Sequence, residues 1–154
     1  MSLPLSHLRR LVSECEAFQT WTGAADATEA LEHIHLVELP QGDLVRPFAL
    51  IGFGARWKTE QRSVQLYTKT GELFLMFEAD VADADQASAA DAIFGFMNPL
   101  GDVVSEMLEK AGTDDYLNVI ELEMEEPPLR ENEEDAQLNE DYYNAIFNVV
   151  WSGF

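Results

Sequence analysis

A single cysteine, Cys15, occurs in 154 residues. No disulfide can therefore close within one chain, and no cysteine-based zinc site can be built from a single copy. Basic side chains are also scarce: three Lys and six Arg stand against 29 acids, leaving a net charge of −20. Such a surface repels nucleic-acid phosphates and anionic lipid heads. It suits a basic partner, bound cations, an assembly that must not stick to DNA, or a saline habitat. No apolar run approaches the ~20 residues that span a bilayer. His7, Arg9 and Arg10 interrupt the segment where a signal peptide would carry its apolar core, so a cytoplasmic location is expected. The patterns G-x-S-x-G, the P-loop and H-E-x-x-H are missing, and "GFGARW" has G-x-G without a third glycine or a following helix. The expectation is a protein that is not an enzyme and has no cofactor and no metal.

What is present is an ordinary core. Apolar residues make up 47% of the chain, and 154 residues fit one domain, 1–154. Leu8, Leu11, Val12, Cys15 and Phe18 form one helical stripe, capped by Ser6 and stopped by Gly23. "DATEALEHI" follows as a shorter helix, with Asp26 and Glu29 placed as a capping box. "HLVEL" reads as a short strand before Pro40. After the Pro- and Gly-punctuated loop from Pro40 to Pro47, "FALIGFGARW" favours a strand, with Gly52 and Gly54 marking a bulge or a close backbone approach.

"SVQLYTKTGELFLMFEAD" reads as a hairpin turning at Lys69-Thr70-Gly71. Leu73 to Phe77 has no polar break, which predicts a central strand covered on both faces. Asn98 and Pro99 are placed to start a helix with Val103, Val104, Met107, Leu108 and Ala111 inward and Gly112 as its cap. Ile93 to Met97 fit either a separate turn or a kinked extension of it. "DYLNVIELEME" reads as a strand with Ile120, Leu122 and Met124 on one face. Tyr143 to Trp151 alternates at period two and is the last strand. Helices and strands are clustered rather than alternating. That predicts an α+β fold: one mostly antiparallel sheet of five to six strands, with the N-terminal helices and one long helix on one face.

Candidate sites are few. His33 and His35 form H-x-H, but a metal site normally needs three or four convergent ligands, and they read as solvated residues at an element boundary. Asp80, Asp83, Asp85 and Asp91 lack the glycine and the spacing of a calcium loop. Cys15 lies on the apolar stripe and reads as core. Arg46, Arg56, Lys58 and Arg62 cluster around the long loop and the first hairpin. Two readings stand for them: solubilising side chains on edge strands, or a positive patch that meets the acidic face of a neighbouring copy. The acidic segment from Glu125 to Asp141 reads as a loop, either a solvated connection or a docking arm at a negative rim.

Four stretches together resemble the tail-terminator (tail-completion, neck) proteins of long-tailed phages and prophages. They are "RPFALIGFG" after an N-terminal helix, the hairpin into "GELFLMFEAD", the long helix of "NPLGDVVSEMLEKAG", and "PPLRENEEDAQLNEDYYNAIFNVVWSGF". The resemblance implies an α+β subunit that forms a ring, often a hexamer, at the head-proximal end of a tail tube. Its partners would be tail-tube and head-connector proteins, in the host cytoplasm during assembly and then in the virion neck. It implies no enzyme activity and carries over no individual binding residue. A negative lumen would let DNA slide without adhesion. The other reading is an acidic binding protein or inhibitor, DNA-mimic-like, acting on a basic partner.

Overall fold

Residues 4–37, 44–63, 66–80, 89–111, 113, 118–126 and 142–153 are described by a computed structural model. The elements are α1 (Pro4–Ser13), α2 (Glu16–Thr22), α3 (Ala27–Ala30), a 3-10 turn (Leu31–His33), β1 (Ile34–Leu36), β2 (Phe48–Ser63), β3 (Leu66–Asp80), α4 (Ala89–Ala111), β4 (Asn118–Glu126) and β5 (Tyr142–Gly153). The fold is the expected α+β. Five strands form one sheet in the order β1-β2-β3-β5-β4. Every pairing is antiparallel except β1 on β2.

The first apolar stripe is buried throughout: Leu8, Leu11, Val12, Cys15 and Phe18 are each 0% exposed. It is carried by two helices rather than one, because the chain breaks at Glu14–Cys15. Ser6 lies inside α1 and not at its cap. Cys15, the N-cap of α2, makes no side-chain cap. Instead the Glu106 carboxylate on α4 accepts from the backbone N–H groups of Glu16 (2.6 Å) and Ala17 (3.1 Å). An acid at a helix N-terminus satisfies orphan donors and opposes the helix dipole, so this contact also ties α2 to α4. Gly23 ends α2 in the left-handed region, at φ 78°. Asp26 caps α3 by accepting from the Glu29 N–H at 2.9 Å, and Glu29 reaches back to the Ala25 N–H at 2.7 Å.

Helix α4 starts well before Asn98 and continues past Pro99 as one helix. Ile93 to Met97 therefore belong to the same helix. Its buried stripe is Phe96, Leu100, Val103, Met107 and Ala111; Val104 is half-buried and Leu108 is 42% exposed. Gly112 lies outside the described residues.

β3 is central, as Leu73 to Phe77 predicts, but one face is more deeply covered than the other. Leu73, Leu75 and Phe77 are buried under the helices, whereas Phe74 and Met76 are half-buried on the opposite face. β5 repeats the pattern, with Tyr143, Ala145, Phe147, Val149 and Trp151 inward. Phe77 is the hub of an aromatic cluster. Its ring lies 6.2 Å from Phe18, 5.7 Å from Trp21 and 5.8 Å from Phe147, which joins α2, β3 and β5. In β4, Val119 takes the inward position opposite Trp151, and a register shift follows before Glu121. Of the three residues expected to share one face, Leu122 and Met124 pair with Val149 and Phe147 of the buried face of β5, and Ile120 falls at the register shift, a bulge.

The predicted turn at Lys69-Thr70-Gly71 is overturned. These residues lie inside β3, paired with Thr59, Lys58 and Trp57, and the connection falls between Ser63 and Leu66. Gly71 has another role. A Cβ there would sit 2.7 Å from the indole nitrogen of Trp151, so the glycine admits the Trp151 ring against the strand.

Candidate functional site

The β2–β3 hairpin is longer than its neighbours on either side. β1 pairs with β2 only at Ala49–Ile51, and β5 pairs with β3 from Asp80 to Lys69. β2 bulges between Phe53 and Trp57. Gly54 permits the close approach there, since a Cβ would meet the backbone of Glu72 at 2.7 Å. Beyond the bulge, Trp57 to Ser63 pairs with Leu66 to Gly71. This distal stretch of β2 is about 23 Å long at ~3.3 Å per residue.

Three of the four predicted interface residues fall on this one strand. Arg56 and Lys58 are exposed, and Arg62 stands in the same strand near its end. Lys69, exposed in β3 and paired with Thr59, joins them; reading it as a turn residue hid that. From Arg56 to Lys69 the chain carries four basic residues and one acid, Glu60, in a molecule of net charge −20.

Arg46 is set apart. Its Nε donates to Glu78 Oε2 at 2.9 Å, and its Nη1 lies 3.5 Å from Asp80 Oδ1. Glu78 is 11% exposed at its side chain and Arg46 is 31% exposed. Arg46, joined to Pro47 by a cis peptide bond, ties the segment entering β2 to the far end of β3. Its place is structural, just before β2, whereas Arg56 lies in the bulge midway along that strand.

Across the sheet lies the opposite charge. β4 has four glutamates and no basic residue. Its register sets Glu121, Glu123 and Glu126 opposite Val150, Asn148 and Ile146 of β5, and Glu123 is exposed. Their alternation was legible in the sequence, but that β4 is an outer strand was not. Glu125 and Glu126, expected to open the acidic loop, belong instead to β4; the rest of that segment, 127–141, lies outside the described residues.

The remaining candidates are placed elsewhere. His33 Nδ1 lies 2.9 Å from the Pro47 carbonyl oxygen, and the His35 ring meets Phe48 edge-on at 5.8 Å. Both are half-buried, not solvated. Burial above all, and then the charges of His33 and Arg9, hold the His35 pKa below its usual 6.5. Cys15 Sγ donates to the Leu11 carbonyl at 3.2 Å. Its pKa is raised, chiefly by burial and next by the Glu106 carboxylate, which keeps the thiol protonated and unreactive. Asp80 is engaged by Arg46, Asp91 is exposed in the first turn of α4, and Asp83 and Asp85 lie outside the described residues. Among the described residues no three His, Cys, Asp or Glu side chains group as a metal site, and no helix is long and apolar enough to cross a membrane. Compared with protein-family profiles and with curated proteins, the sequence matches none.

Proposed function

We propose that this protein is a non-enzymatic structural subunit that self-associates head to tail into a ring, as the tail-terminator proteins it resembles do at the end of a phage tail tube. In that role its further partners are tail-tube and head-connector proteins. The observation that carries the reading is the separation of charge across the sheet. A basic hairpin end lies toward one side and β4, whose charged residues are all glutamates, is the last strand on the other among the described residues. Like surfaces on two copies repel and unlike surfaces attract, which favours a heterologous contact, and a heterologous contact closes into a ring when its rotation permits. The α+β architecture is the one the resemblance implies. Sedimentation of the purified protein tests the reading. A discrete oligomer whose population grows with protein concentration is expected; a monomer at every concentration, salt and divalent-cation level would end it.

The row of glutamates on β4 favours a second reading, an acidic protein that binds a basic partner. It predicts a monomer that binds a basic protein surface tightly, with affinity falling steeply as salt screens the contact.

A further inference from the structure

We infer that the ring contact is strand addition: the outer edge of β2, Trp57 to Ser63, pairs with the outer edge of β4, Asn118 to Glu126, of the next copy. The inference rests on the head-to-tail reading above and names the surfaces that carry it.

Topology supplies the first reason. In the sheet pairing among the described residues, β4 has β5 as its strand neighbour, and β2 beyond the bulge has β3. Each outer edge therefore presents backbone donors and acceptors suited to a further strand. Direction supplies the second. β2 is antiparallel to β3, β3 to β5 and β5 to β4, so β2 and β4 run in opposite senses. A copy placed beside another by rotation about an axis along the strands brings these two edges together antiparallel. Length is the third: the distal stretch of β2 fits within β4, which has nine residues and spans about 30 Å.

Charge decides between this contact and its rivals. Any charged edge resists aggregation, and one sign on both edges would suffice for that. Here the signs differ. Lys58 and Arg62 lie on this β2 edge with one acid, Glu60, and Arg56 stands just before it in the bulge, whereas Glu121, Glu123, Glu125 and Glu126 lie on β4. β2 against β2 and β4 against β4 place like charges opposite each other, which destabilises a strand pair, while β2 against β4 places opposite charges together. The registers also stagger. Asn118 is level with Ser152, Thr70 and Lys58, so the glutamates lie level with the proximal half of β2, not with its basic end. Pairing the two edges therefore shifts each copy along the strands of the last, and a ring closes with that stagger when the strands are tilted to its axis, as in a closed barrel.

The test uses two full-length variants. In one, Arg56→Glu with Lys58→Glu makes the β2 edge acidic; in the other, Glu121→Lys with Glu123→Lys makes the β4 edge basic. Circular dichroism checks that each is folded. Each alone is expected to sediment as a monomer where the unaltered protein is oligomeric. An equimolar mixture is expected to regain the oligomer, because each altered edge then meets an unlike one. If the unaltered protein assembles and both variants assemble equally well, the edge contact is wrong while the ring reading survives. If both are folded monomers and their mixture stays monomeric, complementarity between these edges is overturned. An unaltered protein that never assembles overturns both.

Discussion

The proximal and distal halves of the β2–β3 hairpin are built from the same two strands, yet their side chains do different work. In the proximal half, Ala49, Ile51, Leu73, Leu75 and Phe77 are buried beneath the helices, and Arg46 clamps Glu78 at the margin. In the distal half, Arg56 within the bulge and Lys58 and Lys69 beyond it are exposed. One half is held by burial and by the ion pairs of Arg46 with Glu78 and Asp80, and the other carries positive charge in an acidic molecule. Stability and assembly should therefore be separable by mutation along a single strand.

The largest loss of stability is expected at the proximal hub. Phe77→Ala removes the ring shared by Phe18, Trp21 and Phe147 and should cost about 3–5 kcal/mol in a denaturant titration. Next is Arg46→Met, which leaves the Glu78 carboxylate without its guanidinium. Because Arg46 is partly solvated, about 2 kcal/mol is expected rather than the full cost of breaking a buried pair. Adding Glu78→Gln should recover much of that loss. Gly71→Ala, at the junction of the halves, pushes a methyl group into the Trp151 indole and should cost about 1–3 kcal/mol, with a change in tryptophan fluorescence. Arg56→Glu in the distal half should change the stability of the monomer by less than about 0.5 kcal/mol while weakening assembly. If Arg56→Glu destabilises the monomer as much as Arg46→Met, the two halves are not distinct.

The same contrast separates what was legible in the sequence from what was not. Periodicity read the buried stripe of α1 and α2 and the alternation of β5, because each depends on local spacing. The break at Glu14–Cys15 was hidden because Glu106, whose carboxylate completes α2, is 90 residues from Glu16 in the chain. Gly71 looked like a turn beside Lys69 and Thr70, but its requirement comes from Trp151 across the sheet. Asn98-Pro99 looked like a helix start, yet packing of Phe96 and Leu100 on one stripe carries α4 through it. For the candidate site, proximity in sequence grouped four basic residues. Strand geometry keeps Arg56, Lys58 and Arg62 together, and a partner 32 residues away, Glu78, draws Arg46 out of the group. The acidic counterpart was visible as alternating glutamates, but strand order is a long-range property, and it alone makes β4 an edge among the described strands.

Amide hydrogen exchange of the protein at low and high concentration tests the division of the hairpin most directly. Backbone amides form the proposed contact, so assembly should slow exchange in Trp57 to Ser63 and in Asn118 to Glu126 by about an order of magnitude or more. The amides of Leu73 to Phe77, already protected in the core, should not change. Protection gained on the helices or on β1, with the distal β2 and β4 amides unaffected, would contradict the account.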